Sequence, residues 1–114
     1  MKKTYAKITT TFEDVHRFPD APREVKFLRH PHRHTFHVTV YIQQFHNDRD
    51  IEFVLFKRWL NKTIAKKIIR MKSSKSCEMM AEKLCGEIQR EYGLREVKIE
   101  VSEDNENGAV VECS

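Results

Sequence analysis

Four of the chain's six histidines, His30, His32, His34 and His37, fall within the nine residues HPHRHTFHV. Imidazole is a common nitrogen ligand for divalent metals, and its ordinary pKa lies between pH 5 and 8. A dense histidine stretch therefore points first to a metal site and second to a basic surface that titrates. His32 and His34 stand two residues apart. In an extended chain their side chains leave the same face about 6 to 7 Å apart along the backbone, so two imidazoles can converge on one ion. Zinc bound through nitrogen takes ligands at about 2.0 to 2.1 Å in a tetrahedron, which calls for a third protein ligand. His16 is the leading candidate, because it follows an alternating apolar segment and would lie at the same end of a hairpin as His32 and His34. His30 precedes Pro31 in a loop, which leaves its direction unset by any strand. His37 has the opposite parity, and His46 lies beyond the far end of the strand.

The elements that would position these side chains can be read from periodicity. Residues 4–12, TYAKITTTF, alternate with Ala6, Ile8, Thr10 and Phe12 on one side, and their β-branched and aromatic content favours a strand. All three prolines fall between 17 and 31, which predicts a loop. From His34 to Gln43 the alternation returns, with Phe36, Val38, Val40 and Ile42 on one face and Thr35, His37, Thr39 and Tyr41 on the other. Then the period changes. Phe53, Phe56, Leu60, Ile64, Ile68 and Met71 stripe one side of a helix. Ser73–Ser76 interrupts it and offers an N-cap for a second helix with the stripe Cys77, Met80, Ala81, Leu84, Cys85, Ile88 and Tyr92, stopped by Gly93. Val97, Ile99 and Val101 mark a third strand, and NENG turns into a last one from Ala109 to Cys113. The predicted class is α+β in the order ββααββ, a four-stranded antiparallel sheet with two helices on one face.

Composition sets the bounds. A chain of 114 residues, 39% hydrophobic and 33% charged, suits one globular domain over 1–114 with a heavily solvated surface. No apolar run is long enough to cross a bilayer, and the amino end has two lysines without an apolar stretch behind them, so a cytoplasmic location is the expectation. Three cysteines without a Cys-x-x-Cys spacing argue for reduced thiols, with Cys77 and Cys85 as small core residues. The net charge of +4 does not demand nucleic acid. Basic residues do cluster, Arg23, Lys26, Arg29 and Arg33 around the histidines and Lys66, Lys67, Arg70, Lys72 and Lys75 in a second group. Such clusters suit a phosphate-bearing ligand, while the second group reads more simply as solvated surface.

The pattern HRHTFHVTV, with VHRF upstream and IEFVLFK downstream, resembles the 6-pyruvoyl-tetrahydropterin synthase and 6-carboxy-tetrahydropterin synthase family across nearly the whole chain. The matching positions are His16, His32 and His34, then Glu52 with Phe53, Ser76 with Glu78, and Glu103. The resemblance implies the tunnelling fold, built into a multimeric barrel, with ligand sites between the subunits of a homo-oligomer. It implies zinc on His16, His32 and His34. It also implies a pterin ring anchored by Glu103, whose carboxylate matches two parallel N–H donors. Arg29 and Arg33 would serve a triphosphate such as that of dihydroneopterin triphosphate, and the reaction class would be carbon–oxygen lysis.

The chain departs from the family where the chemistry is done. The family's proton-abstracting cysteine, a few residues before the paired histidines, has no counterpart, since no cysteine precedes residue 77. Its Asp-His pair between the helices is also missing, as 51–77 holds neither residue type. Glu24 is the one candidate substitute base, although it is not at the matching spacing. Arg33 replaces the glycine inside His-x-His. Two other classes of function compete: a non-catalytic member of the fold that keeps the metal as structure or binds a partner through its sheet, and a single-strand nucleic-acid module. The last is disfavoured, because Tyr41 is the only good stacking platform on the exposed face.

Overall fold

In the computed structural model, which describes residues 1–114, strict alternation carries the first strand, β1, from Thr4 to His16. Its even-numbered side chains turn inward, so that Ala6, Ile8 and finally His16 are buried. The second strand, β2, runs from His32 to Gln44 and pairs antiparallel with β1 along its whole length, from Thr4 opposite Gln44 to His16 opposite His32. Both strands are longer than the sequence pattern suggests. Pairing extends them through Glu13, Asp14, Arg33 and other polar residues that carry little apolar signal. Strands β3 (Val97–Glu103) and β4 (Asn107–Cys113) complete an antiparallel sheet in the order β1-β2-β3-β4.

Helix α1 (Phe53–Thr63) begins where the Glu52 carboxylate accepts from the N–H groups of Val54 and Leu55. It runs into a π-helical turn over Ile64–Ile68, closed by Ile69 N–H donating to the Ile64 carbonyl. Leu60, Ile64 and Ile68 follow one another at four residues, a spacing that drifts round an α-helix. The wider turn keeps all three inward. Helix α2 (Cys77–Tyr92) starts at Ser76, whose Oγ accepts from Met79 N–H, and ends at Gly93 with φ +84°. Both helices pack on the same sheet face, and Phe36, Val40, Ile99, Leu60, Leu84 and Ile88 close the core between them with no exposed surface. Each such side chain contributes about 1.5 to 3 kcal/mol of burial. No helix is long and apolar enough to cross a membrane.

Three expectations need correction. The 17–31 segment is not all loop, since Arg23–Arg29 forms 3-10 turns. Phe53 lies outside the buried stripe at 58% exposure, because it opens the helix at its solvent end, while Ile51 just before the cap is buried instead. Cys85 and Cys113 are joined as a disulfide, with Cα atoms 6.6 Å apart. The stripe of α2 and the inward parity of β4 bring the two into one layer, a proximity that sequence spacing does not reveal. Cys77 alone is free, and it is buried.

Candidate metal centre

The β1–β2 register sets His16 directly across from His32, with His34 two residues further along the same face. The three rings meet edge to face, with centroids 4.6 to 5.1 Å apart. One ring nitrogen from each lies within 4.8 Å of the others. In a tetrahedral zinc shell the nitrogens would stand about 3.3 Å apart, a contraction that small side-chain rotations supply.

The tautomers are set by what each ring touches on its far side. Nδ1 of His16 meets the Lys75 carbonyl at 3.0 Å, Nδ1 of His32 the His30 carbonyl at 2.9 Å, and Nδ1 of His34 the Asp104 carboxylate at 2.7 Å. All three partners are acceptors, so each Nδ1 carries the proton and donates. In a neutral ring held this way Nε2 presents a lone pair, the arrangement that outer hydrogen bonds impose on metal-binding histidines. His16 Nε2 is buried without any hydrogen-bond partner. The group His16, His32 and His34 can therefore hold a metal ion, and three imidazoles suit zinc, copper, iron or nickel.

Glu103 ends β3 opposite Phe36 and has the same inward parity as Val101 and Ile99. Its Oε2 lies 2.9 Å from His16 Nε2 and 3.8 Å from His34 Nε2. Beyond it the chain turns sharply. Asp104 and Asn105 adopt left-handed φ values of 54° and 59°, which short polar side chains tolerate. This turn lays Asp104 against His34, while its second oxygen accepts from Thr35 N–H at 3.0 Å. The His34 contact first, and the Thr35 N–H second, hold the Asp104 carboxyl below the usual range. Burial, the largest influence on His16, pushes its pKa down against the raising effects of the Lys75 carbonyl and Glu103.

A cleft of about 740 Å³ opens beside the histidines, lined among others by His16, His32, Glu103, Arg17, Ser76 and Cys77. The Cys77 thiol is pushed up to about 12, mainly by burial and then by Glu103 and Glu78. Of the residues singled out from the sequence, His16, His32, His34 and Glu103 come together. Arg29 does not join them; its Nε donates to the Ala21 carbonyl at 2.8 Å. Arg33 is exposed on the opposite parity of β2, and Glu24 is exposed in the 3-10 turns, neither lining the cleft.

Sequence reasoning missed Lys75 and Asp104. Lys75 is 3% exposed, and its ammonium is bonded to Asp14 and to the carbonyls of Ile68 at 3.0 Å and Ile69 at 3.2 Å. It pins the interhelix segment onto β1, and so fixes the carbonyl that orients His16. Nothing in the local pattern separates this lysine from its solvated neighbours. Asp104 sits in the acidic turn EDNE, where its partner 70 residues away leaves no local signal. No protein-family model matches the chain, and no curated protein matches it either.

Proposed function

We propose that this chain is a zinc-binding protein of the pterin-synthase type, which takes a pterin or related ring in the cleft beside the ion. The observation that carries the metal reading is the set of three imidazoles, each anchored through Nδ1 and with one ring nitrogen from each within 4.8 Å of the others. A zinc ion held there would supply a Lewis acid for a ligand hydroxyl or carbonyl oxygen. The cleft falls within the roughly 300 to 1,000 Å³ of small-molecule sites. Glu103 and the ββααββ order support the pterin class through the resemblance drawn from the sequence. Strands β1 and β4 stand at the sheet's edges, so edge-to-edge assembly into a homo-oligomer would pair them and bring cleft residues of neighbouring copies together.

The cleft's residues suit ligand binding and lack the base that turnover requires. The cysteine base has no counterpart before residue 77, and the cleft's own thiol, Cys77, is held at about 12, far above a working base. Glu24 stands away from the cleft. The test is incubation of the zinc-loaded protein with dihydroneopterin triphosphate, following both binding and triphosphate release. Saturable binding that is lost with the zinc supports the reading. Zinc-loaded protein that neither binds nor converts this compound would overturn the pterin assignment.

A further inference from the structure

We infer that Glu103 is itself a ligand of the ion, closing a three-histidine, one-carboxylate shell in the ligand-free protein. The inference rests on the metal reading above and adds a fourth donor to it. In the neutral His16 ring Nδ1 donates to the Lys75 carbonyl, so its Nε2 offers only a lone pair, and so does the Glu103 oxygen 2.9 Å away. Two acceptors that close repel each other unless a positive centre lies between them. Nε2 is buried and makes no hydrogen bond, to Glu103 or to any other group.

The distances fit a shared ion. In a tetrahedral shell with bonds of about 2.0 to 2.2 Å, neighbouring donor atoms stand about 3.4 Å apart. The 2.9 and 3.8 Å separations of Glu103 Oε2 from His16 and His34 fall on either side of that value. Glu103 reaches this position because it is the last residue of β3 with inward parity, and the turn at Asp104 and Asn105 begins immediately after it. The consequence is a closed site. A ring presenting paired N–H donors would have to compete with the ion for this carboxylate, and its binding would open one coordination position.

Cobalt(II) titration of the whole chain tests this, with visible absorption as the readout and zinc competition as the measure of affinity. The wild type should give the intense bands of a four-coordinate ion. In Glu103→Gln, cobalt should still bind, at least about 10-fold more weakly, and the bands should weaken as water enters the shell. Glu103→Asp, which keeps the charge on a shorter arm, should fall between the two, and far-UV circular dichroism confirms that each variant is folded. Unchanged affinity and spectrum in Glu103→Gln overturn the carboxylate ligand and leave the histidine site standing. A wild type that takes up neither cobalt nor zinc overturns both.

Discussion

Replacing Lys75 by methionine should destabilise the protein by about 3 to 5 kcal/mol, the cost of removing one partner of a buried ion pair. The ammonium faces the Asp14 carboxylate, whose side chain is 12% exposed, and the carbonyls of Ile68 and Ile69. Methionine fills the same volume but leaves a carboxylate and two carbonyls without their donor. The lost interactions belong to one network, so their costs do not simply add. At about 4 °C per kcal/mol for a chain of this length, the melting temperature should fall by roughly 12 to 20 °C. Thermal denaturation followed by circular dichroism, with chelator present so that metal binding does not contribute, measures this directly. The double variant Lys75→Met with Asp14→Asn should recover much of the loss, since it removes the unpaired charge. If Lys75 were one more solvated lysine of a basic segment, the single variant would cost at most about 1 kcal/mol. A fall of under about 4 °C would therefore refute the argument and detach the interhelix segment from the positioning of His16.

Asp104→Ala should weaken metal affinity by about 10- to 100-fold, because it removes the partner of His34 Nδ1, and should also lower the melting temperature of the metal-free protein, because it removes the acceptor of Thr35 N–H and leaves alanine at φ 54°; equal zinc affinity by chelator competition would count against the role at His34. Gly108→Ala should cost about 1 to 3 kcal/mol in chemical denaturation, since a Cβ there would run into the Val101 carbonyl and lie 2.5 Å from Ser102 Cα, both backbone; a neutral substitution would mean that β3 and β4 are less closely paired than described. The Asp50 carboxyl is held below its ordinary range by the Phe45 N–H first and Arg95 second. Its stabilisation is full above the unfolded value of about 3.9 and disappears as pH falls through the lower folded value, so Asp50→Asn should flatten the acid limb of the stability curve below about pH 4. Parallel pH–stability curves for the two proteins would show that this carboxyl carries none of the acid dependence.

The strands and helices were legible because one face of each is buried and the alternation or stripe is nearly unbroken. Ala6, Ile8, Phe36, Val38, Val40 and Ile42 are inward as their parity requires, and Ser76 and Gly93 bound α2 as their capping chemistry requires. The histidine cluster was legible for the same reason: parity put His32 and His34 on one face, and the hairpin brought His16 to them. The outer contacts were not. His30, Lys75 and Asp104 act through a carbonyl or through a residue far along the chain, and neither leaves a periodic mark. Arg29 and Arg33 illustrate the converse. Charge near the histidines in sequence became a loop clasp at Arg29, which lies outside the strands, and an opposite-face side chain at Arg33, because side chains alternate between the faces of a strand. The Cys85–Cys113 pairing depended on how α2 crosses β4, a tertiary fact that an odd cysteine count concealed.

His16, His32 and His34 are brought together as one candidate metal site. Zinc content per chain, measured on purified wild type and on His32→Ala after equal exposure to zinc and removal of the free ion, tests it most directly. The prediction is about one zinc per wild-type chain and little or none on His32→Ala, with both proteins folded. Equal zinc on the two, or none on the wild type, would contradict the claim and leave the histidines as a basic surface.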